Sequence, residues 1–423
     1  MIVKCRSLIL ACLICTGLFS CNKHSEHNTT LQNVGVGALS GSFYVDVDDS
    51  IIMWNAKTGV KVWDVKDDYG YGSYLNPMVY DAGTVYTGGS AGIKGYNAQT
   101  GAGVWEASFY DPSVGDGSDY RIPAFINDSL ALVTSSTGVY IGGSQLYCYN
   151  KLTGSRKWQT QIDSNINGFA EFNPIPLNVN NKLVVVVKEW SSNFKICCYD
   201  PLTGKQLWQT DWNPYVSPLL KTSAGNVYSL QAATVWEYSG NDGSMVWQTT
   251  MDVTPGSEYT NSFFDDKYVY INRINPDKTY TMFVLNKFTG VVISKTPIPL
   301  GPKGQAHLTC HYQNGVLYVS DYNNNTSDYD ATLYAYTFPG MQLKWSYNFT
   351  SVSTPPNPPV ITDQYVVFPG SLDKTLSKTN PTGEMIFLDL NGKLVNTVRF
   401  PGTNTSKFVY VDDKGTAYAP DLY

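Results

Sequence analysis

Histidine, the side chain best suited to moving protons near neutral pH, occurs only at His24, His27, His307 and His311. The last two fall in Ala306-His307-Leu308-Thr309-Cys310-His311-Tyr312. On a strand, His307, Thr309 and His311 share one face and Cys310 points the other way. These three are candidates to face an internal channel, where two imidazoles could hold a ligand; their plainer reading is a polar wall wetted by solvent. Residues four apart on a strand stand about 13 Å apart, too far to bind one ion directly. Cys197 and Cys198 are adjacent, which on a strand sends their thiols to opposite faces, where a buried cysteine packs as a small hydrophobe. Two loops gather oxygens of the kind calcium takes: Asp111, Asp116, Gly117, Ser118 and Asp119, then Asp321, Asn323, Asn325, Asp328 and Asp330. The second lacks the glycine and the closing glutamate of an EF-hand, and both read as solvated hairpin loops. The spacing of Glu106, Glu171, Glu189 and Glu237 selects no acid–base pair. No Gly-x-Ser-x-Gly, His-Glu-x-x-His or phosphate-loop motif occurs. No catalytic residue and no metal ligand is assigned.

The N-terminus reads as a targeting signal. Lys4 and Arg6 precede the apolar run Leu8–Leu13, which is too short to span a membrane, and small residues follow up to Ser20. Leu18-Phe19-Ser20-Cys21 resembles a bacterial lipobox, which implies cleavage before Cys21 and a diacylglycerol on its thiol. The expected organisation is a lipoprotein signal peptide over 1–20, a lipidated tether over 21–36 and a single domain over 37–423. Acyl chains would hold the product on a membrane without spanning it. Asn22 stands where an aspartate would resemble an inner-membrane retention cue, so the outer membrane is expected, on a face the sequence leaves open. The signal removes three cysteines, leaving Cys148, Cys197, Cys198 and Cys310 beside Cys21, too few for a disulfide scaffold in a chain this long.

Composition narrows the class. The chain has 423 residues, 43% hydrophobic and 15% charged, which excludes intrinsic disorder. A formal charge of −6, falling to −8 without Lys4 and Arg6, excludes nucleic acid as a main partner. Thirty-one Tyr and 17 Phe favour strands over helices.

The elements that must position these residues are repeats. Tyr96-Asn97 to Thr100-Gly101 to Trp105 recurs as Tyr149-Asn150 to Thr153-Gly154 to Trp158 and as Tyr199-Asp200 to Thr203-Gly204 to Trp208. Trp54-Asn55 to Gly59 to Trp63 precedes them, and Tyr238-Ser239 to Gly243 to Trp247 follows. Later copies degrade: Leu285-Asn286 to Gly290 lacks the Trp, Pro339-Gly340 reaches Trp345 one residue late, and Asn391-Gly392 has none. In each copy an alternating run predicts a half-buried strand, Asn or Asp starts a turn by bonding its own backbone, and Gly supplies a positive φ. The next strand then carries the Trp at constant register. With further strands upstream, often opened by proline as at Pro358-Pro359, each unit of 40 to 50 residues holds four strands.

The Tyr-Asn/Asp-x-x-Thr-Gly-x-x-x-Trp phrase resembles the tryptophan-docking motif of the pyrroloquinoline-quinone (PQQ)-like propellers. That superfamily holds the quinoprotein alcohol dehydrogenases and the propeller lipoprotein of the outer-membrane β-barrel assembly machinery. The resemblance implies an all-β propeller of about eight four-stranded blades, with seven as the alternative, closed by pairing N- and C-terminal strands. It implies blade-docking roles for Trp63, Trp105, Trp158, Trp208, Trp247 and Trp345. Both termini offer a second strand for the shared blade. Some quinoprotein dehydrogenases set a vicinal disulfide against the quinone, but Cys198 and Cys148 both lie six residues before the motif glycine, in a slot that elsewhere holds Gly95, Met53 and Val284. The calcium ligands of those enzymes find no residue-by-residue match. The expected function is a non-catalytic, membrane-anchored scaffold, a monomeric propeller that binds an envelope protein or a glycan; Trp190 and Trp212 lie outside the docking slot. No cofactor is expected, with PQQ plus calcium, in a quinoprotein dehydrogenase, as the alternative.

Overall fold

The computed structural model describes residues 39–419, apart from 48–49, 67–77, 90–91, 109–118, 121–123, 128–129, 137–143, 162–176, 189–193, 213–218, 232, 301–308, 323–329, 352–357, 373–381 and 403–407. Cys21 and the expected signal peptide and tether over 1–36 therefore lie outside the described residues. Every regular element among those described is a strand, and all strand pairing is antiparallel.

The strands form eight sheets of a β-propeller. We letter the strands of each sheet a to d, from the first to the outermost. The second sheet is Val79–Asp81, Thr84–Gly89, Gly92–Asn97 and Gly103–Ser108. In the third, Asp119–Tyr120 and Ala124–Asn127 share the a position beside Leu130–Ser136, Ser144–Asn150 and Arg156–Gln161. The fourth is Leu177–Val179, Lys182–Lys188, Phe194–Tyr199 and Gln206–Trp212, and the fifth Leu219–Ser223, Asn226–Gln231, Thr234–Ser239 and Met245–Thr250. The sixth is Glu258–Phe264, Tyr268–Ile274, Tyr280–Asn286 and Val292–Ile298, and the seventh Thr309–Gln313, Val316–Tyr322, Asp330–Thr337 and Leu343–Thr350. The eighth is Val360–Ile361, Tyr365–Ser371, Thr382–Asp389 and Leu394–Pro401.

The first sheet joins the two ends of the chain. Ser42–Val47, Ser50–Asn55 and Lys61–Lys66 supply b, c and d, and Phe408–Val411 supplies a. The second strand thus comes from the N-terminus. Ser42 pairs with Asn55 on one side and Val411 on the other. Ala417–Tyr418 adds a fifth strand beyond Phe408–Val411.

Burial follows from this order. The d strands alternate exposed and half-buried residues, as in Lys61–Lys66, whereas b and c strands such as Tyr365–Ser371 are buried on both faces. Each face packs against a different neighbour, so the apolar interior is divided into eight cores, each between two consecutive sheets. One of them sets Phe43, Val45 and Phe408 of the first sheet against Val367, Phe387 and Phe400 of the eighth. Hairpin alternation places the a–b and c–d turns on one rim of the ring. The b–c turns and the crossovers from d to the next a lie on the other.

Candidate functional site

The repeated phrase builds its turn as its residue types require. Asn97 accepts the backbone N–H groups of Gln99 and Thr100 at 3.0 Å each on Oδ1, and Gly101 N–H closes on the Asn97 carbonyl at 2.8 Å. Asn55, Asn150, Asp200 and Asn286 make the same turn. After the turn, the docking residue of d faces a fixed slot on c. Met53, Gly95, Cys148, Cys198, Glu237 and Ala335 stand opposite Trp63, Trp105, Trp158, Trp208, Trp247 and Trp345, and the register slips by one residue directly beyond each pair.

Each indole reaches the turn of the next sheet. Trp63 donates Nε1–H to Ala98 at 3.0 Å, Trp105 to Lys151 at 2.6 Å and Trp158 to Pro201 at 2.9 Å. Trp208 donates to Gly240 at 3.4 Å, Trp247 to Lys287 at 3.1 Å and Trp345 to Leu390 at 3.0 Å. All six acceptors are backbone carbonyls of the residue just after the turn's first position, or its structural equivalent. The motif glycine of that turn lies beneath the indole. A Cβ on Gly154 would fall 2.6 Å from Trp105, so the position needs glycine for space as well as for its φ of 68°.

The second lone pair of the acceptor is also used. Tyr44 donates to the Ala98 carbonyl at 3.2 Å, Tyr86 to Lys151 at 3.0 Å and Tyr228 to Lys287 at 3.4 Å. Where the b strand offers no tyrosine, Cys148 Sγ approaches the Pro201 carbonyl at 3.7 Å. Thr160 and Thr249, two residues after their tryptophans, donate to the carbonyls of Gly204 and Gly290 at 3.0 and 2.6 Å. Sequence reasoning missed these tyrosines and threonines. The recurring Val-Tyr and Trp-Gln-Thr phrases were the available signal.

Three junctions depart from the phrase. At the seventh turn Met341 takes the glycine's place, with φ 51° and its N–H on the Thr337 carbonyl at 2.7 Å, so Trp345 is again four residues after the left-handed position. In the eighth sheet Asn396 occupies the tryptophan's slot opposite Phe387 and donates Nδ2–H to the Ala56 carbonyl at 2.7 Å. In the sixth, Ser294 faces Val284, and the aromatic mass comes from the other side: Phe338 of the next turn lies 4.8 Å from Tyr270 and 5.3 Å from Tyr312.

The other candidates scatter. His307 lies outside the described residues. Thr309 and His311 fall on the a strand of the seventh sheet, opposite Ser320 and Tyr318; Thr309 is buried with no hydrogen-bond partner for its hydroxyl, and His311 is half-buried. Cys310 packs the other way, into the core shared with the sixth sheet, beside Tyr280 and Met282. Cys197 and Cys198 form no disulfide and lie in two different cores, Cys197 with Cys148 and Leu146, Cys198 with Trp208 and Val227. Burial pushes the thiols of Cys148 and Cys198 up to about 12. Thiols pointing to opposite sides of one blade do not fit a disulfide laid against a quinone.

Of the calcium-like loops only Asp119, Asp321 and Asp330 are described, Asp119 and Asp330 opening strands and Asp321 lying within one, and no group of three His, Cys, Asp or Glu gathers among the described residues. Glu106 pairs with Lys94 at 3.4 Å. Glu171, Glu189 and Trp190 lie outside the described residues, and Trp212 ends a strand. Glu237 is buried and accepts from Asn226 at 2.6 Å and Tyr228 at 2.8 Å. Sequence reasoning also missed Glu384, a buried carboxyl beside Gly370 and cross-strand from Arg399. Its burial raises the pKa to about 7, with Arg399 opposing the rise.

The chain matches the family model described as outer membrane protein assembly factor BamB, over residues 92–235 and again over 192–407. No curated protein matches it by sequence. Among solved structures it is similar to BamB from Moraxella catarrhalis, at 18% identity over 67% of this chain and 80% of that one, with a TM-score of 0.48. It is similar to the dihydro-heme d1 dehydrogenase NirN at 12% identity, 90% and 77% coverage and a TM-score of 0.55. The quinohemoprotein alcohol dehydrogenase ADHIIG from Pseudomonas putida HK5 gives 14%, 92% and 72%, and 0.53. At these identities the structural likeness is one of fold.

Proposed function

This chain belongs to the family of the outer membrane protein assembly factor BamB, and on that premise we propose that it is a non-catalytic interaction scaffold of the bacterial envelope. In this reading Cys21 carries the lipid that anchors the chain to the outer membrane. Each of the eight sheets is taken as one blade of a monomeric ring, with a seven-bladed ring as the alternative. The ring presents its connections to an envelope protein.

One observation carries the reading: the side chains that repeat are consumed by docking. Tryptophan, tyrosine, threonine and glycine converge on single turns, as at Lys287, which accepts from both Trp247 and Tyr228. The repeated chemistry therefore supplies rigidity, and recognition falls to the connections that vary between blades.

The test places a photo-crosslinking residue at Lys278, an exposed turn position between the b and c strands of the sixth sheet, in the full chain in its own cells. A discrete crosslink to one envelope protein is expected. Thermal unfolding with PQQ and calcium is the counter-test, because a ligand at 100 times its dissociation constant adds about 2.7 kcal/mol. A rise that needs both additives would replace the scaffold by a quinoprotein dehydrogenase.

A further inference from the structure

Exposed large apolar side chains line the c–d rim. Leu152, Leu202 and Phe288 stand at the tips of c–d turns and are 67%, 68% and 65% exposed. Val60 and Val291 follow the motif glycine of their turns, and the remaining ones lie on the first residues of d strands.

The same belt is basic. Residues 55–62, 97–104, 150–157, 200–207, 239–246, 286–293, 337–344 and 389–395 hold nine Lys or Arg against three Asp, hence a formal +6 in a chain of −6. Lys151 and Lys287 are buried, and the other seven cations are exposed. The a–b turns on this rim lie further in and carry acids such as Asp265, Asp266 and Asp363, so the positive charge is peripheral.

The chain also enters the ring here. Gly41 accepts the Ala56 N–H at 3.1 Å, Ser40 accepts the Tyr410 hydroxyl at 2.6 Å, and Ser42 pairs with Asn55, the first residue of a c–d turn. Residues 22–38, between the lipidated cysteine and the described chain, can bridge at most about 60 Å. We propose that the periphery of the c–d rim is a lipid-contacting surface, lying on an anionic bilayer with its apolar turn tips at the headgroup boundary and its lysines and arginines toward phosphate. The proposal rests on the anchored reading above. Both scattered apolar tips and basic neighbours suit an interface of mixed character better than a protein partner, which would select a contiguous patch on a few blades.

The test uses the full lipidated chain on vesicles of phosphatidylethanolamine and phosphatidylglycerol that carry a headgroup-level quencher. A fluorophore is attached at Leu202→Cys or at Lys278→Cys; Cys148, Cys197, Cys198 and Cys310 are buried. The Leu202 label should be quenched several-fold more than the Lys278 label. Equal or reversed quenching on protein that floats with the vesicles overturns the proposal while the anchor stands. Failure of the full chain to float overturns both. A Leu152→Ser/Phe288→Ser variant should still float but lose much of the difference between labels. An unchanged difference would mean that the tether alone orients the ring, and would overturn the lipid contact.

Discussion

Asn396 donates its side-chain amide to the Ala56 carbonyl at 2.7 Å, across the junction where the last sheet meets the first. The amide makes the bond that an indole makes at six other junctions. The interaction is one N–H to a turn carbonyl, and a much smaller side chain supplies it because Phe43, Phe387 and Phe400 fill the neighbouring core. Closure of the ring thus keeps the docking hydrogen bond and replaces the docking bulk.

Asn396→Ala should destabilise the ring by about 1–3 kcal/mol, the cost of stranding a buried carbonyl. Asn396→Leu, which restores volume without a donor, should recover little of it. Denaturant midpoints at constant slope measure both.

Gly290→Ala should cost more than Gly315→Ala. Both glycines have positive φ, 69° and 73°, but the new methyl at 290 meets Trp247 at 2.5 Å whereas at 315 nothing lies within 4 Å. Gly315→Ala should lose about 1 kcal/mol from backbone strain alone, and Gly290→Ala roughly twice that or more. A double-mutant cycle with Trp247→Phe should show coupling at 290 and none at 315.

Stability should fall as pH rises between about 4.5 and 7, through Glu384. Its folded pKa, raised to about 7 by burial, exceeds the ordinary glutamate value, so the folded state holds the proton longer than the unfolded one. Stability from this group is full below the unfolded value and lost as pH passes the folded one, on the order of 3 kcal/mol in all. Glu384→Gln should match the parent near pH 4 and exceed it at pH 8, read as unfolding midpoints across that range.

Cys148 and Cys198 should resist thiol reagents at pH 8 in the native protein and react on unfolding. Their thiols, raised to about 12 by burial, hold almost no thiolate at that pH. A colorimetric thiol count before and after denaturant checks this. Native labelling of either would mean that its core opens.

The fold was legible because the turn chemistry is local. Asn97, Gly101 and Trp105 lie within nine residues of each other, and each residue type states its own backbone requirement. The division of the closing sheet was not legible, because both ends of the chain alternate as a second strand would, and only pairing with Ser50–Asn55 decides between them. The degraded copies hid their docking for a related reason. What a junction requires is a donor at one carbonyl and mass over one turn, and Asn396, Met341 and Phe338 meet those needs with other residue types. The tyrosine partners stayed hidden because the carbonyls they reach lie 54 to 65 residues away.

The Ser42–Val47 strand has a mechanical consequence. It is the first strand among the described residues, and it lies between Ser50–Asn55, which pairs with all six of its residues, and Phe408–Val411, which pairs with four. A pull on the N-terminus is directed along this strand and loads both ladders in shear, so their bonds must fail together. The ring would be held by an interior strand gripped from both sides, and tension on that end of the chain would reach the closure as a clasp under load.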